Sequence, residues 1–236
     1  MPRLSRRVLL AGGAGAALLP GAAASAGVQA ADLTSLRGQS WRSLQRYFSL
    51  ERGLVYLNNG TLGPCPRPVT EVVHQAWRVL EQNPAEQGYG PLLEQAEAVR
   101  AEAARFLGCG VDEVAITRST TEGMSAIAQG LHLRPGDRVL TTDQEHPGGR
   151  VCWDYLARHG GISIDAVRLP KSPADPATIT ACFEAALTPQ TRVISVSHVS
   201  YCTGLRLPIP ALAALAEAHG ALLEVDGAQA PGVLAV

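Results

Sequence analysis

Between residues 114 and 225 short runs rich in β-branched residues alternate with stretches whose apolar residues recur at helical spacing. No other feature of the sequence constrains the fold as strongly. The β-type runs lie at 114–117 (VAIT), 138–142 (RVLTT), 162–169 (ISIDAVRL), 192–199 (RVISVSHV) and 221–225 (ALLEV). Helices are expected between most of them, at 121–131, 149–158, 176–187 and 209–219. Strands joined through helices are joined by crossovers, which predicts a three-layer α/β domain: a mostly parallel sheet with helices on both faces. Ligands of such sheets bind outside the carboxyl ends of the strands. The residues that follow each strand are therefore where chemistry is sought.

Upstream, the pattern changes. Residues 53–60 (GLVYLNNG) read as a short strand-like run broken into a loop, residues 68–80 and 92–107 as two helices, and EQNPAEQGYGP between them as punctuation. The first 26 residues combine Arg3, Arg6 and Arg7, an apolar run from Val8 to Leu19, and the small residues Ala24, Ser25 and Ala26. This is the layout of an export signal of the twin-arginine type, with cleavage expected after Ala26. The resulting division is a signal at 1–26, a lead-in at 27–52 and a ligand-binding domain at 53–236. The expected location is periplasmic or extracellular, with no membrane span after signal removal. A formal net charge of −1 provides no field to draw nucleic acid. The five cysteines show no Cys-x-x-Cys spacing, so no metal site is expected, and most read as small apolar core residues.

Four strand ends collect polar groups. Ser119 and Glu122 have capping-box spacing at the start of a helix whose stripe is Met124, Ile127, Ala128 and Leu131. Its free N–H groups and the hydroxyls of Ser119, Thr120 and Thr121 suit a phosphate or serve only as caps. Asp143, Glu145 and His146 follow the second run, where an imidazole could stack on a flat ring, shuttle a proton or simply occupy a surface turn. Ser200, Tyr201 and Thr203 follow the fourth, with His198 read as a core histidine. Asp226 ends the last strand, with Gln229 three residues on. A buried carboxylate needs a partner, and a protonated ring nitrogen supplies one. Phosphate cradle, imidazole and carboxylate together suit a phosphorylated pyridine.

The segments YLNNGTLGPCPRPV, VAITRSTTEGMSAIAQGL, QEHPGG, SHVSYCTG and VDGAQAPG resemble, in order and character, the class V aminotransferase fold of pyridoxal 5′-phosphate (PLP) enzymes. That group includes cysteine desulfurases and isopenicillin N epimerase-like proteins. The resemblance implies the large domain of fold type I, with PLP as cofactor. It further implies that Thr120 and Thr121 bind the phosphate and His146 stacks on the ring. Asp226 would pair with the ring nitrogen, Gln229 would reach the phenolic oxygen, and Asn58 and Asn59 would lie at the substrate entrance. Tyr201 stands where desulfurases place an asparagine and is expected at the cofactor; LNNGTLGP is closer to the epimerase-like branch, which often has tyrosine in place of His146.

The family's Schiff-base lysine lies beyond the Asp-x-x-Gln segment, and its small domain supplies a substrate-binding arginine; the sequence reaches neither. No catalytic residue is therefore assigned, and Lys171, the only lysine, reads as a solvated charge. The resemblance implies an amino-acid or small-amine substrate and a homodimer when complete, with transamination, epimerisation and C–S cleavage left open. The alternatives are a non-catalytic module that binds PLP or another phosphate ligand, a partner-dependent scaffold, and a nucleotide-binding α/β protein, which the absence of a Walker A run disfavours. The 236-residue chain taken alone is expected to be marginally stable, with an open sheet edge.

Overall fold

The computed structural model describes residues 38–170 and 175–234. The signal segment at 1–26, the first part of the lead-in and Lys171 lie outside the described residues. Two compact units are present: one takes the described residues up to Tyr47 together with Pro66–Leu93, the other Phe48–Cys65 and Glu94 onward.

The first unit holds α1 (Trp41–Leu44), α2 (Arg67–Gln82) and α3 (Pro84–Tyr89). The helix α3 corrects the expectation of mere punctuation at 84–89. Asn83 caps it, its side chain accepting from the Glu86 N–H at 3.3 Å, and Pro84 supplies the preset φ of a first helical residue. The helix α4 (Pro91–Leu107) begins in this unit and continues into the second.

The second unit carries α5 (Thr120–Gly130), β1 (Arg138–Thr142), α6 (Pro147–Gly160), β2 (Ser163–Val167), α7 (Pro176–Ala186), β3 (Thr191–Ser197), α8 (Ile209–Ala218) and β4 (Leu222–Asp226). The four strands form one parallel sheet in the order β2-β1-β3-β4. From β1 the chain steps outward to β2, and from β3 outward to β4, so the crevice between the carboxyl ends of β1 and β3 is the switch point where ligands bind.

Side-chain alternation divides the core. Leu140, Ile194 and Val196 pack with Ile179 and Phe183 of α7 and Leu212 and Ala216 of α8. Val139 and Val193, on the other face, pack with Met124 and Ala128 of α5 and Cys152 and Trp153 of α6. The expected three-layer arrangement is what the chain forms. Helix starts are set locally: the Asp175 carboxylate accepts from the Thr178 N–H at 2.9 Å, and Pro147 and Pro176 occupy first helical positions. Gly161 ends α6 at φ +72°, a left-handed conformation that glycine tolerates.

Several expectations are corrected. Residues 114–117 and 53–57 are not strands, because no ladder partner meets them among the described residues, and Ile116 is 61% exposed. The run at 162–169 stops pairing at Val167, since the Leu169 N–H turns to the Asp143 carboxylate at 3.0 Å. At the start of α5 the Ser119 hydroxyl accepts from the Glu122 N–H at 3.2 Å, but Glu122 returns to the Arg118 N–H at 2.7 Å rather than to Ser119. Ile127, expected on the buried stripe, is 50% exposed. Of the cysteines only Cys152 is buried; Cys65, Cys109 and Cys202 are exposed.

Candidate active site

A cavity of about 240 Å³ opens at the carboxyl ends of β1, β3 and β4, and Thr120, Thr121, His146, Tyr201, Asp226 and Gln229 all line it. Each arrives for a local reason. Thr120 and Thr121 lead α5, where backbone N–H groups have no preceding helical carbonyl to reach and the helix dipole favours an anion. His146 caps α6: its Nδ1 accepts from the Gly148 N–H at 3.0 Å, which places the hydrogen of a neutral ring on Nε2. The Tyr201 ring meets that imidazole edge-on, centroids 5.0 Å apart at 87°.

Asp226 closes the far side. It is 6% exposed; its Oδ1 accepts from the Ala228 N–H at 2.9 Å, and its Oδ2 lies 2.8 Å from where a Cβ on Gly149 would stand. Gly148 and Gly60 show the same close approach. A Cβ on the first would come within 2.5 Å of Thr121 Oγ1, and one on the second within 2.8 Å of Gln229 Cδ. The three glycines thus leave space that any side chain would fill. In the variant Gly149→Ala the methyl must displace the Asp226 carboxylate from its seat. Urea unfolding is expected to show a loss of about 1–3 kcal/mol; an unchanged midpoint would refute the close contact.

Other polar residues expected here face elsewhere. Asp143 holds the Leu169 N–H, and Ser200 and Thr203 donate to the buried Gln144 side chain at 3.1 and 2.7 Å. Glu145 clamps two strand ends together, its Oε2 accepting from Ser197 N–H and Oγ–H at 2.8 and 2.6 Å and its Oε1 from Thr142 Oγ–H at 2.5 Å. Burial raises the Glu145 carboxyl above its ordinary range, the Ser197 and Thr142 donors oppose this, and the nearby Asp226 charge adds to the rise. His198 stands apart from the cavity lining; burial, then the Arg206 guanidinium, lowers its basicity.

Asn58 and Asn59 are exposed, and the cavity is lined instead by Gly60 and Thr61, which sequence reasoning missed. The Asn58 carbonyl accepts from the Thr61 and Leu62 N–H groups, a turn that carries the next two residues to the cavity. Ser197 was also missed, although it shares strand phase with Val193 and Ser195 on the face toward α6, and that phase was its available signal.

A family model for aminotransferase class-V matches residues 55–235. The chain belongs to the aminotransferase class-V family. Within it, the chain is 36% identical over 197 residues to an isopenicillin N epimerase of Streptomyces clavuligerus, covering 82% of this chain and 49% of that protein. It is 34% identical over 142 residues to a cysteine desulfurase of Salmonella newport (strain SL254), covering 58% of this chain and 34% of that one. Among solved structures, a C-DES variant with glycine covalently linked to its PLP cofactor superimposes with a TM-score of 0.70 at 25% identity, over 81% of this chain and 51% of that one. The chain spans about half the length of the curated relatives it matches.

The residues present fit a PLP group of the kind that the C-DES structure holds. The glycine-lined cavity has a helix N-terminus with two threonines on one wall and a buried carboxylate on another, matching the opposite charges of a phosphate and a protonated pyridine.

Proposed function

We propose that this chain carries the cofactor-binding half of a PLP-dependent enzyme that removes and returns a proton at the α-carbon of an amino acid or small amine. The observation that carries the reading is the juxtaposition in one cavity of the α5 N-terminus and Asp226. The longer match to epimerases, 82% of the chain against 58% for desulfurases, favours epimerase-like chemistry over C–S cleavage.

Bound PLP supplies an electron sink for the carbanion left when a substrate loses its α-proton. This chain's residues supply the setting. The first N–H groups of α5 and the hydroxyls of Thr120 and Thr121 hold the phosphate dianion. Asp226, oriented by the Ala228 N–H, keeps a proton on the ring nitrogen. The His146 imidazole, fixed through Nδ1 by the Gly148 N–H and flanked by Tyr201, covers one ring face. The Gln229 amide, seated against Gly60, provides a donor for the phenolic oxygen. Asn58 and Asn59 border the same turn at the substrate entrance. Homodimerisation and export by the twin-arginine route belong to the same reading.

The test is titration of the purified chain with PLP, followed by cofactor absorbance and circular dichroism after desalting. Retained, induced dichroism that free phosphate competes away is expected. A chain that binds PLP no better than serum albumin would sink the proposal.

A further inference from the structure

Beneath the cavity lies a second acid that the reading above leaves unused. Glu224 stands two residues before Asp226 on β4, hence on the same face of the sheet, and like Asp226 is 6% exposed. Its Oε2 is bonded to Ser195 Oγ at 2.8 Å, and Ser195 Oγ accepts from Trp153 Nε1–H at 2.9 Å. Its Oε1 is buried and has no hydrogen-bond partner. The groups around it offer no counter-charge. On β4 there is Asp226; on β3, the neutral Ser195; on α6, Trp153 and the buried Cys152 thiol; and beyond Asp226, Glu145 at the end of β1. Among the described residues no ion pair involves Glu224, Asp226 or Glu145.

A carboxylate buried with one donor and an acid for a neighbour is a costly anion, whereas a neutral carboxyl leaves at most one O–H unpaired. We propose that Glu224 is held as a neutral acid with its proton on Oε1 and acts as a positioning residue, leaving Asp226 the one charged acid of the Glu224–Asp226 pair until a cationic ring seats against it. Burial, and then the Asp226 charge, pushes the Glu224 carboxyl up to about 7, while the Ser195 hydroxyl opposes the rise. Burial, and then Glu224, pushes the Cys152 thiol up to about 11. When a cation occupies Asp226, the repulsion that adds to burial in keeping Glu224 protonated is cancelled while burial remains, so Glu224 loses its proton at a lower pH than in the free chain. Cation binding is therefore coupled to proton release, and affinity rises with pH through the neutral range.

Trp153 is a built-in reporter. Trp41 and Trp77 are 85% and 65% exposed and can be replaced by phenylalanine, leaving the buried indole that touches Ser195. In that background the Trp153 emission is expected to shift with a midpoint near pH 7, and Glu224→Gln, which mimics the neutral acid, is expected to remove the shift. An infrared spectrum of the unsubstituted chain is expected to show the carbonyl band of a protonated carboxyl at pH 6 and to lose it by pH 8. If Glu224→Gln does not fold, the same spectrum taken on Glu145→Gln decides the matter, because it removes the other carboxyl that burial raises and keeps Glu224. Invariant emission together with no protonated-carboxyl band at pH 6, or a shift that survives Glu224→Gln, overturns the assignment.

The second half rests on the reading of Asp226 as partner of the ring nitrogen. PLP is expected to bind wild type and Glu224→Gln alike at pH 6 and wild type about tenfold more tightly at pH 8; parallel profiles overturn the positioning role. If neither binds PLP at any pH, the cofactor reading and this coupling fail together, while the Trp153 and infrared results still decide the protonation of Glu224.

Discussion

Replacing Trp153 with alanine is expected to lower the unfolding free energy by about 3–5 kcal/mol, the range for deleting a large aromatic from a core that cannot fully collapse. Trp153 is fully buried and packs in the cluster formed by α5, α6, β1 and β3. It is also the donor that satisfies Ser195. The variant therefore creates a cavity and loosens the hydroxyl that holds Glu224. Trp153→Phe separates the two effects: it restores most of the volume without the N–H, and is expected to recover more than half of the loss. Urea unfolding followed by far-UV circular dichroism measures both. A loss below about 1 kcal/mol for Trp153→Ala would mean that α6 does not rest on the sheet through this residue.

Asp226→Ala is expected to weaken PLP binding by at least about 30-fold, because truncating one partner of a buried, hydrogen-bonded charge pair costs about 2–5 kcal/mol. Asp226→Asn keeps an acceptor for the Ala228 N–H but removes the charge. If the charge is what the ring nitrogen needs, asparagine rescues little of the affinity; if Asp226 serves only to hold the turn at 227–229, asparagine rescues nearly all of it. Equilibrium titration by cofactor absorbance distinguishes the two outcomes. Unchanged affinity in both variants would remove Asp226 from the cofactor site altogether.

Local chemistry carried much of this architecture. Alternating β-type and helical runs implied crossovers and hence a parallel sheet, and four of the five runs became β1 to β4 with small changes at their ends. The fifth, at 114–117, has strand composition, but a strand exists only where another backbone pairs with it. Thr120, Thr121, His146 and Asp226 were legible because helix starts and strand ends announce themselves through caps, prolines and polarity, and the sheet class states where ligands go. Asn58 and Asn59 were expected near the substrate entrance through the family resemblance, whereas the turn they make delivers Gly60 and Thr61 to the cavity.

What only the tertiary structure decided is which strand lies beside which. The register pairing Ser195 with Glu224 and Ser197 with Asp226 joins segments far apart in the chain. It turns an ordinary run, ALLEV, into the site of a buried acid lodged beneath Trp153 through one shared hydroxyl. Periodicity tells which face a residue takes, since alternation is a property of a single strand; what covers that face depends on strand order and crossovers, and those are set by the packing of the whole sheet.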